Sequence, residues 1–184
     1  MPKLPGELPQ QLGNKTECGL LGLVIQLGGD YAEVRARHPT ESLVKVYTFN
    51  SARKMMTTIV RISENGVYRL YTKGAPEIIL DKCSFMLDSK MNINSLNQVQ
   101  RNTVIKDIVE SMGSNGLRTM CIAYKEFVPK SLKPKNSPSL SNIEYYDKTP
   151  DWNNESFLIN YMTSVCILGI EDPVRIEVGK KIFI

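Results

Sequence analysis

Lys73-Gly74-Ala75-Pro76-Glu77 and, about twenty residues earlier, Phe49-Asn50-Ser51-Ala52-Arg53-Lys54 put an aromatic ring and several cations on neighbouring segments. No catalytic acid–base pair, metal cluster or activated nucleophile accompanies them in the sequence. An aromatic face can stack on a planar base, and lysine or arginine can neutralise phosphate. The inventory therefore suits holding a base and a polyphosphate better than breaking bonds. Gly74 would let backbone approach a ligand, while Lys73 reaches phosphate as a mobile point charge. Equally, Lys73-Gly74 can be a strand end followed by a turn. Phe49 alternates with Tyr47, so it is either core packing or an exposed stacking surface. Arg53 and Lys54 read first as solvated cations. Arg118, early in an apolar strand, needs a partner, and its fork suits phosphate or carboxylate.

The elements that must position these groups read as follows. Asn14 or Thr16 caps a helix running to about Leu27 and closed by Gly28-Gly29. A second helix covers Asp30 to Arg37 and stops before Pro39. Lys45 to Phe49 is a strand. Met56 to Ile62 and Val67 to Thr72 form a hairpin around Ser63-Glu64-Asn65-Gly66, Asn-Gly being the preferred pair for a tight primed turn because both residues tolerate positive φ. Lys73 ends the second of these strands, and Pro76 starts a short helix through Leu80. Ile105, Ile108, Val109 and Met112 recur at i, i+3, i+4 and i+7, an amphipathic helix ended by Gly113 or Gly116. Leu117 to Phe127 is a strand, 129–152 a long mobile surface loop, and Phe157 to Ile170 one or two buried strands. Helices mix with antiparallel hairpins, which gives an α+β fold: a twisted, mainly antiparallel sheet flanked by helices.

Composition excludes several classes. The 184 residues suit one domain, and a net charge of +4 spread along the chain admits an anionic ligand without favouring nucleic acid. Neither GxxxxGK[ST] nor GxGxxG occurs. The single histidine, His38, and the four dispersed cysteines argue against a zinc site or a histidine triad. Cys18, Cys121 and Cys166 lie in apolar stretches and read as reduced, buried thiols of a cytosolic protein. No apolar run nears the roughly 18 residues of a membrane span, and the N-terminus lacks a signal-peptide core, so no direct membrane insertion is expected. The sequons Asn14-Lys15-Thr16 and Asn154-Glu155-Ser156 read as chance matches.

Five stretches occur in one order: Gly13-Asn14-Lys15-Thr16-Glu17-Cys18, Lys45-Val46-Tyr47-Thr48-Phe49-Asn50-Ser51, Lys73-Gly74-Ala75-Pro76-Glu77, Gly116-Leu117-Arg118-Thr119 and Gly169-Ile170-Glu171-Asp172-Pro173-Val174-Arg175. Together they resemble the cytosolic nucleotide-binding (N) domain of P-type calcium ATPases, closer to the plasma-membrane, calmodulin-regulated type than to the sarcoplasmic-reticulum type. The resemblance covers residues 5–178. It implies an ATP-binding domain, residues 14–170, preceded by a lead-in segment (1–13). Residues 171–184 would hold a hinge at Asp172 and Pro173 and a divergent tail.

The resemblance also implies roles. Glu17 would bond near the adenine amino group, Phe49 would stack on the ring, and Lys73 would line the deep end of the pocket with Gly74. Arg118 would contact the phosphates, and Thr16, Lys54, Met56 and Met120 would line the site. The phosphoryl group would pass to an aspartate in a domain absent from this chain, driving calcium export. Mg²⁺ would be supplied mainly by that domain. Partners would be ATP, the other cytosolic domains of a plasma-membrane pump and its calmodulin-binding autoinhibitory segment. Alone, the chain would bind ATP without turnover.

Ser51 stands where the sarcoplasmic type carries an arginine, and 129–151 is longer than the family pattern. Asp147-Lys148-Thr149 imitates the family's phosphorylation motif but continues Pro150-Asp151-Trp152 and lacks its strand. After Val178 the sequence leaves the pattern, as expected of a truncated gene product or a cut end. The rival from another class is a protein-interaction module docking partners through the basic Pro/Ser-rich loop.

Overall fold

Asn14 opens the first helix because its side chain accepts from the backbone N–H groups of Thr16 and Glu17, at 2.9 and 3.4 Å. These are donors that an uncapped helix leaves orphaned. The computed structural model describes residues 13–135 and 142–171. It divides into two compact units between Pro39 and Thr40. In the first, α1 (Lys15–Gln26) closes in a Schellman turn: Gly28 has φ +79°, and Gly29 N–H donates to Val24 C=O at 2.8 Å. α2 (Tyr31–Arg37) is capped by Asp30, which accepts from Ala32 N–H at 2.7 Å. The Asn14 sequon is thus a helix cap. So is Asn154, whose side chain accepts from Phe157 N–H.

The second unit is built on one sheet: β1 (Leu43–Asn50), β2 (Met55–Ser63), β3 (Val67–Gly74), β4 (Cys83–Leu87), β5 (Ile93–Ser95), β6 (Arg118–Pro129), β7 (Ile143–Tyr146) and β8 (Met162–Ile170). The spatial order is β1-β2-β3-β6-β8-β4-β5, with β7 paired to β6. All pairs are antiparallel except β4–β8 and β6–β7. α3 (Pro76–Asp81) starts on Pro76 and buries Pro76, Ile79 and Leu80. α4 (Gln98–Val104) runs through a π turn, Ile105–Glu110, into α5 (Ser111–Ser114). A short α6 (Glu155–Leu158) precedes β8. The core gathers Met55, Ile59, Leu70, Ile79, Cys121, Ala123, Phe127, Leu158 and Met162. This is the expected α+β class, a mainly antiparallel sheet flanked by helices.

Four local expectations change. The β2–β3 link is a three-residue turn in which Gly66 takes φ +83° and Asn65 does not take positive φ. The ladder jumps from Arg61↔Tyr68 to Ser63↔Val67. A left-handed glycine ending such a turn matches the twist of the strands as well as a two-residue primed turn does. The helix after Gln98 is not uniformly α: its π turn leaves Ile108 exposed while Val104 and Ile105 pack on the core. Phe157 falls in α6, so the last segment starts only at Met162 and is one strand, the fewer of the one or two expected. Cys83 is buried with Cys121, whereas Cys18 and Cys166 are only half-buried; all four are free thiols.

The segment 129–152 is also more than a loop. β7 pairs with Glu126–Pro129, and Glu144 meets the ammonium of Lys125, whose side chain is 3% exposed. Tyr146 Oη donates to Gly66 C=O. Trp152 packs its ring 4.8 Å from Tyr68 and 5.5 Å from Phe127, edge-on to the latter. These anchors are polar or aromatic and lie among Pro, Ser and Lys, so no apolar alternation announces them. Asp147 pairs with Lys130 in an exposed position.

Trp152→Ala should cost about 3 kcal/mol in chemical denaturation, as for removal of a packed aromatic ring. A loss near zero would mean that the segment is only draped on the sheet. Burial pushes the Cys121 thiol up to about 11. Its folded pKa exceeds the unfolded value near 8.5, so its contribution is complete below that value and lost as pH rises towards 11. Native-state alkylation at pH 8 should label Cys18 and Cys166 and spare Cys83 and Cys121; equal labelling of all four would contradict this core.

Candidate functional site

Where β1 turns into β2, Asn50 Oδ1 accepts from Ala52 N–H at 2.8 Å and Asn50 C=O accepts from Lys54 N–H at 2.7 Å. Lys54 is held at φ 54°, a left-handed conformation that side chains disfavour. Its carbonyl accepts from Ala75 N–H at 3.0 Å, so the two motifs that open the sequence reading touch through their backbones. Gly74 makes the contact possible. A Cβ there would lie 2.4 Å from Lys54 C=O and 2.7 Å from Met55 Cα. The room gained by lacking a side chain is taken by the β1–β2 turn.

Arg53 is not a solvated cation. It pairs with Glu155, donates to Thr48 C=O and to Met55 C=O, and lies 6.0 Å from the Tyr47 ring. Tyr47 Oη donates to Trp152 C=O. Burial, then the charges of Glu155 and Asp151, hold the Tyr47 phenol above its ordinary pKa. Tyr47 thus packs toward the core, and simple alternation would send Phe49 the same way.

The register breaks that alternation. Tyr47 opposes Thr57 and Asn50 opposes Met55, so Thr48 and Phe49 stand together against the single residue Met56. Such a bulge re-aims a side chain. Phe49 is 63% exposed.

Met56 opposes Lys73, Lys73 opposes Ile122 and Ile122 opposes Cys166. Directly opposed residues share a face, so this row crosses four strands on the side away from Thr57, Thr72, Cys121 and Ala123. Thr57 and Thr72 pair their buried hydroxyls at 3.1 Å on the core side. Two residues at a time back along β6, Met120 opposes Leu168 and Arg118 opposes Ile170, on the same face as Ile122. Arg118 lies roughly 13 Å along the strand from Ile122.

The structure therefore brings Met56, Lys73, Met120 and Arg118 to one sheet face, with Phe49 at its edge on the bulge. Lys54 and Gly74 form its rim. Thr16 and Glu17 stand on α1 in the first unit, outside this ladder. Asp172 and Pro173 lie outside the described residues. A hollow of about 460 Å³ runs along β1, lined by Lys45, Val46, Tyr47, Phe49, Asn50 and Arg53. It takes in Phe49 but not the other members of the row.

Sequence reasoning missed Ile122, although the alternation from Arg118 through Met120 reaches it. It also missed Arg53 as the clamp of the turn, which no sequence signal marks. Chemically, the face offers apolar floor, an exposed ring and cations at separate ends. Gly74→Ala should destabilise the chain by about 3 kcal/mol, because the clash is with backbone. Unchanged denaturation of that variant would refute the close approach.

Comparison with known proteins gives one consistent picture. The family model for the P-type ATPase, cytoplasmic domain N, matches residues 5–177. Plasma membrane calcium-transporting ATPase 2 of Oreochromis mossambicus is 43% identical over 181 residues, covering 98% of this chain and 15% of its own length. Plasma membrane calcium-transporting ATPase mca-1 of Caenorhabditis elegans is 44% identical over 180 residues, 96% of this chain and 14% of its own. Plasma membrane calcium-transporting ATPase 4 of Homo sapiens is 44% identical over 181 residues, 98% of this chain and 13% of its own. The chain thus spans 13–15% of the length of these relatives.

Proposed function

The chain belongs to the family of P-type ATPase cytoplasmic N domains, and on that premise we propose that it is the ATP-holding part of a plasma-membrane calcium pump. The observation that carries the reading is the row Met56–Lys73–Ile122, with Phe49 turned onto its edge by a bulge. A purine over this row would stack on Phe49, with Lys73 at its deep end and Met56 and Met120 beneath. Arg118, far along β6, would meet the phosphates, and Lys54 and Gly74 would bound the rim.

The face supplies cations and apolar side chains but no carboxylate in its row. That donor set fits a polyphosphate and does not fit a magnesium cage, whose ligands are oxygens. Magnesium would arrive with the nucleotide and be held by another domain. The aspartate that receives the phosphoryl group would lie there too, with Asp172 and Pro173 as the hinge. Orienting the reactants across that hinge would remove much of the entropic barrier, as hinge closure does in other enzymes. A calmodulin-binding autoinhibitory segment would act on this arrangement from outside the chain.

ATP titration followed by backbone amide NMR should give saturable shifts around Phe49 and Lys73. Phe49→Ala should weaken binding about tenfold, the scale of one base–aromatic stack. Absence of any shift at millimolar ATP would sink the reading.

A further inference from the structure

The sheet face continues past Lys73, away from Arg118. Val46 opposes Thr58, Thr58 opposes Tyr71 and Tyr71 opposes Tyr124. This row sits two residues along each strand from Met56–Lys73–Ile122, hence on the same face. On β6, Arg118 precedes Ile122 and Tyr124 follows it, so the tyrosines bound the end opposite the proposed phosphates.

Both rings are held in place. Arg69 Nη1 donates to Tyr71 Oη at 3.2 Å, and the guanidinium carbon lies 5.9 Å from the Tyr71 ring centre and 5.7 Å from that of Tyr124. Arg69 is itself tied to Glu126, through Nε at 2.8 Å and through a second, shorter bond from Nη2. Tyr71 remains 39% exposed. A carboxylate thus fixes a cation, the cation fixes two rings, and one of those rings faces outward beside Lys73. A wall set before a ligand arrives spends no binding energy on ordering itself.

We propose that Tyr71 and Tyr124 form the end wall of the base pocket and set how large a purine can extend beyond Lys73. They are specificity-determining residues, with Arg69 and Glu126 as positioning residues behind them. The inference rests on the nucleotide reading above and names what limits its substrate.

The test is a titration of the full chain with ATP and with ATP analogues carrying a benzyl group at N6 or a phenyl group at C2. Tyr71→Ala should raise the affinity for at least one bulky analogue relative to ATP by about tenfold, the scale of discrimination set by pocket volume. If that variant does not fold, Tyr71→Leu and Tyr124→Leu read the same ratio with smaller volume changes. A ratio unchanged in folded variants that still bind ATP overturns the wall and leaves a pair of rings that only brace the sheet. If the unsubstituted chain binds neither ATP nor its analogues, the nucleotide reading fails and takes the wall with it.

Discussion

The close approach of Gly74 to the Lys54–Met55 backbone is the contact on which the described face depends. A side chain at Gly74 would meet carbonyl and Cα atoms, which cannot rotate away as a flexible side chain could. The same point carries three ladders' ends: Gly74 opposes Met55 on one side and Cys121 on the other, and Met55 also opposes Asn50, while Ala75 donates to Lys54. Opening it would unseat the last pairs of β2–β3, and Met56–Lys73 is the next pair in. The left-handed backbone of Lys54 costs of order 1 kcal/mol in isolation, and it persists because hydrogen bonds to Asn50 and Ala75 fix both of its peptide groups. Lys73-Gly74 is therefore a strand end, followed through the cap residue Ala75 by α3 and not by a turn, and the close approach at Gly74 is what seats the lysine in its ladder.

The two faces of the sheet obey different constraints. On one, period-two alternation buries Met55, Ile59, Leu70, Cys121 and Ala123 with Thr57 and Thr72, whose hydroxyls satisfy each other. Burying an unpaired hydroxyl would cost roughly 1–3 kcal/mol, so the pair is a condition of placing threonines there. On the other face, burial is partial, and the register of β1 against β2 shifts twice, between Leu43 and Lys45 and again at Thr48 and Phe49. Leaving a phenylalanine largely exposed forgoes about 1.5–3 kcal/mol of burial. A sequence that keeps such a ring on a bulge, beside a strained lysine, departs from local consistency, as natural chains do at functional or strained positions.

Much of this was legible in the residues. The cap at Asn14, one of two candidates there, Pro76 at a helix start and the β2–β3 hairpin all rest on local chemistry that neighbours in sequence settle among themselves, whereas Asp30, read as the first residue of the second helix, is its cap. Phe49 was not legible, because alternation assigns it to the face of Tyr47 and only the register against β2 reveals the extra residue. The turn at Gly66 was half legible: the glycine was needed for its positive φ, but loop length, which selects the turn class, depends on where the strands pair. β7 escaped because Glu144 answers a buried lysine from another strand and Trp152 answers Tyr68 and Phe127. Long-range partners leave no periodic trace. The pairing of Met56 with Lys73 and of Lys73 with Ile122 was likewise hidden until the strands had an order.

Charge illustrates the same limit from the other side. The net charge of +4 looks like a diffuse cationic surface, yet many of its members are committed. Arg53 is tied to Glu155, Arg69 to Glu126, Lys125 to Glu144 and Lys130 to Asp147, while Arg101 reaches Cys83 C=O. Pairs of this kind cancel at distances beyond a Debye length, about 8 Å in physiological salt. What a ligand meets is then set by which cations share a face with low-polarity neighbours, where a charge is screened least. Lys73 stands opposite Ile122, and Arg118 stands two residues from Met120 and opposite Ile170. On the proposed reading, an anion would be met at two positions of this ladder, Lys73 and Arg118, and not by the chain's overall basicity, which is why composition admits an anionic ligand without locating it.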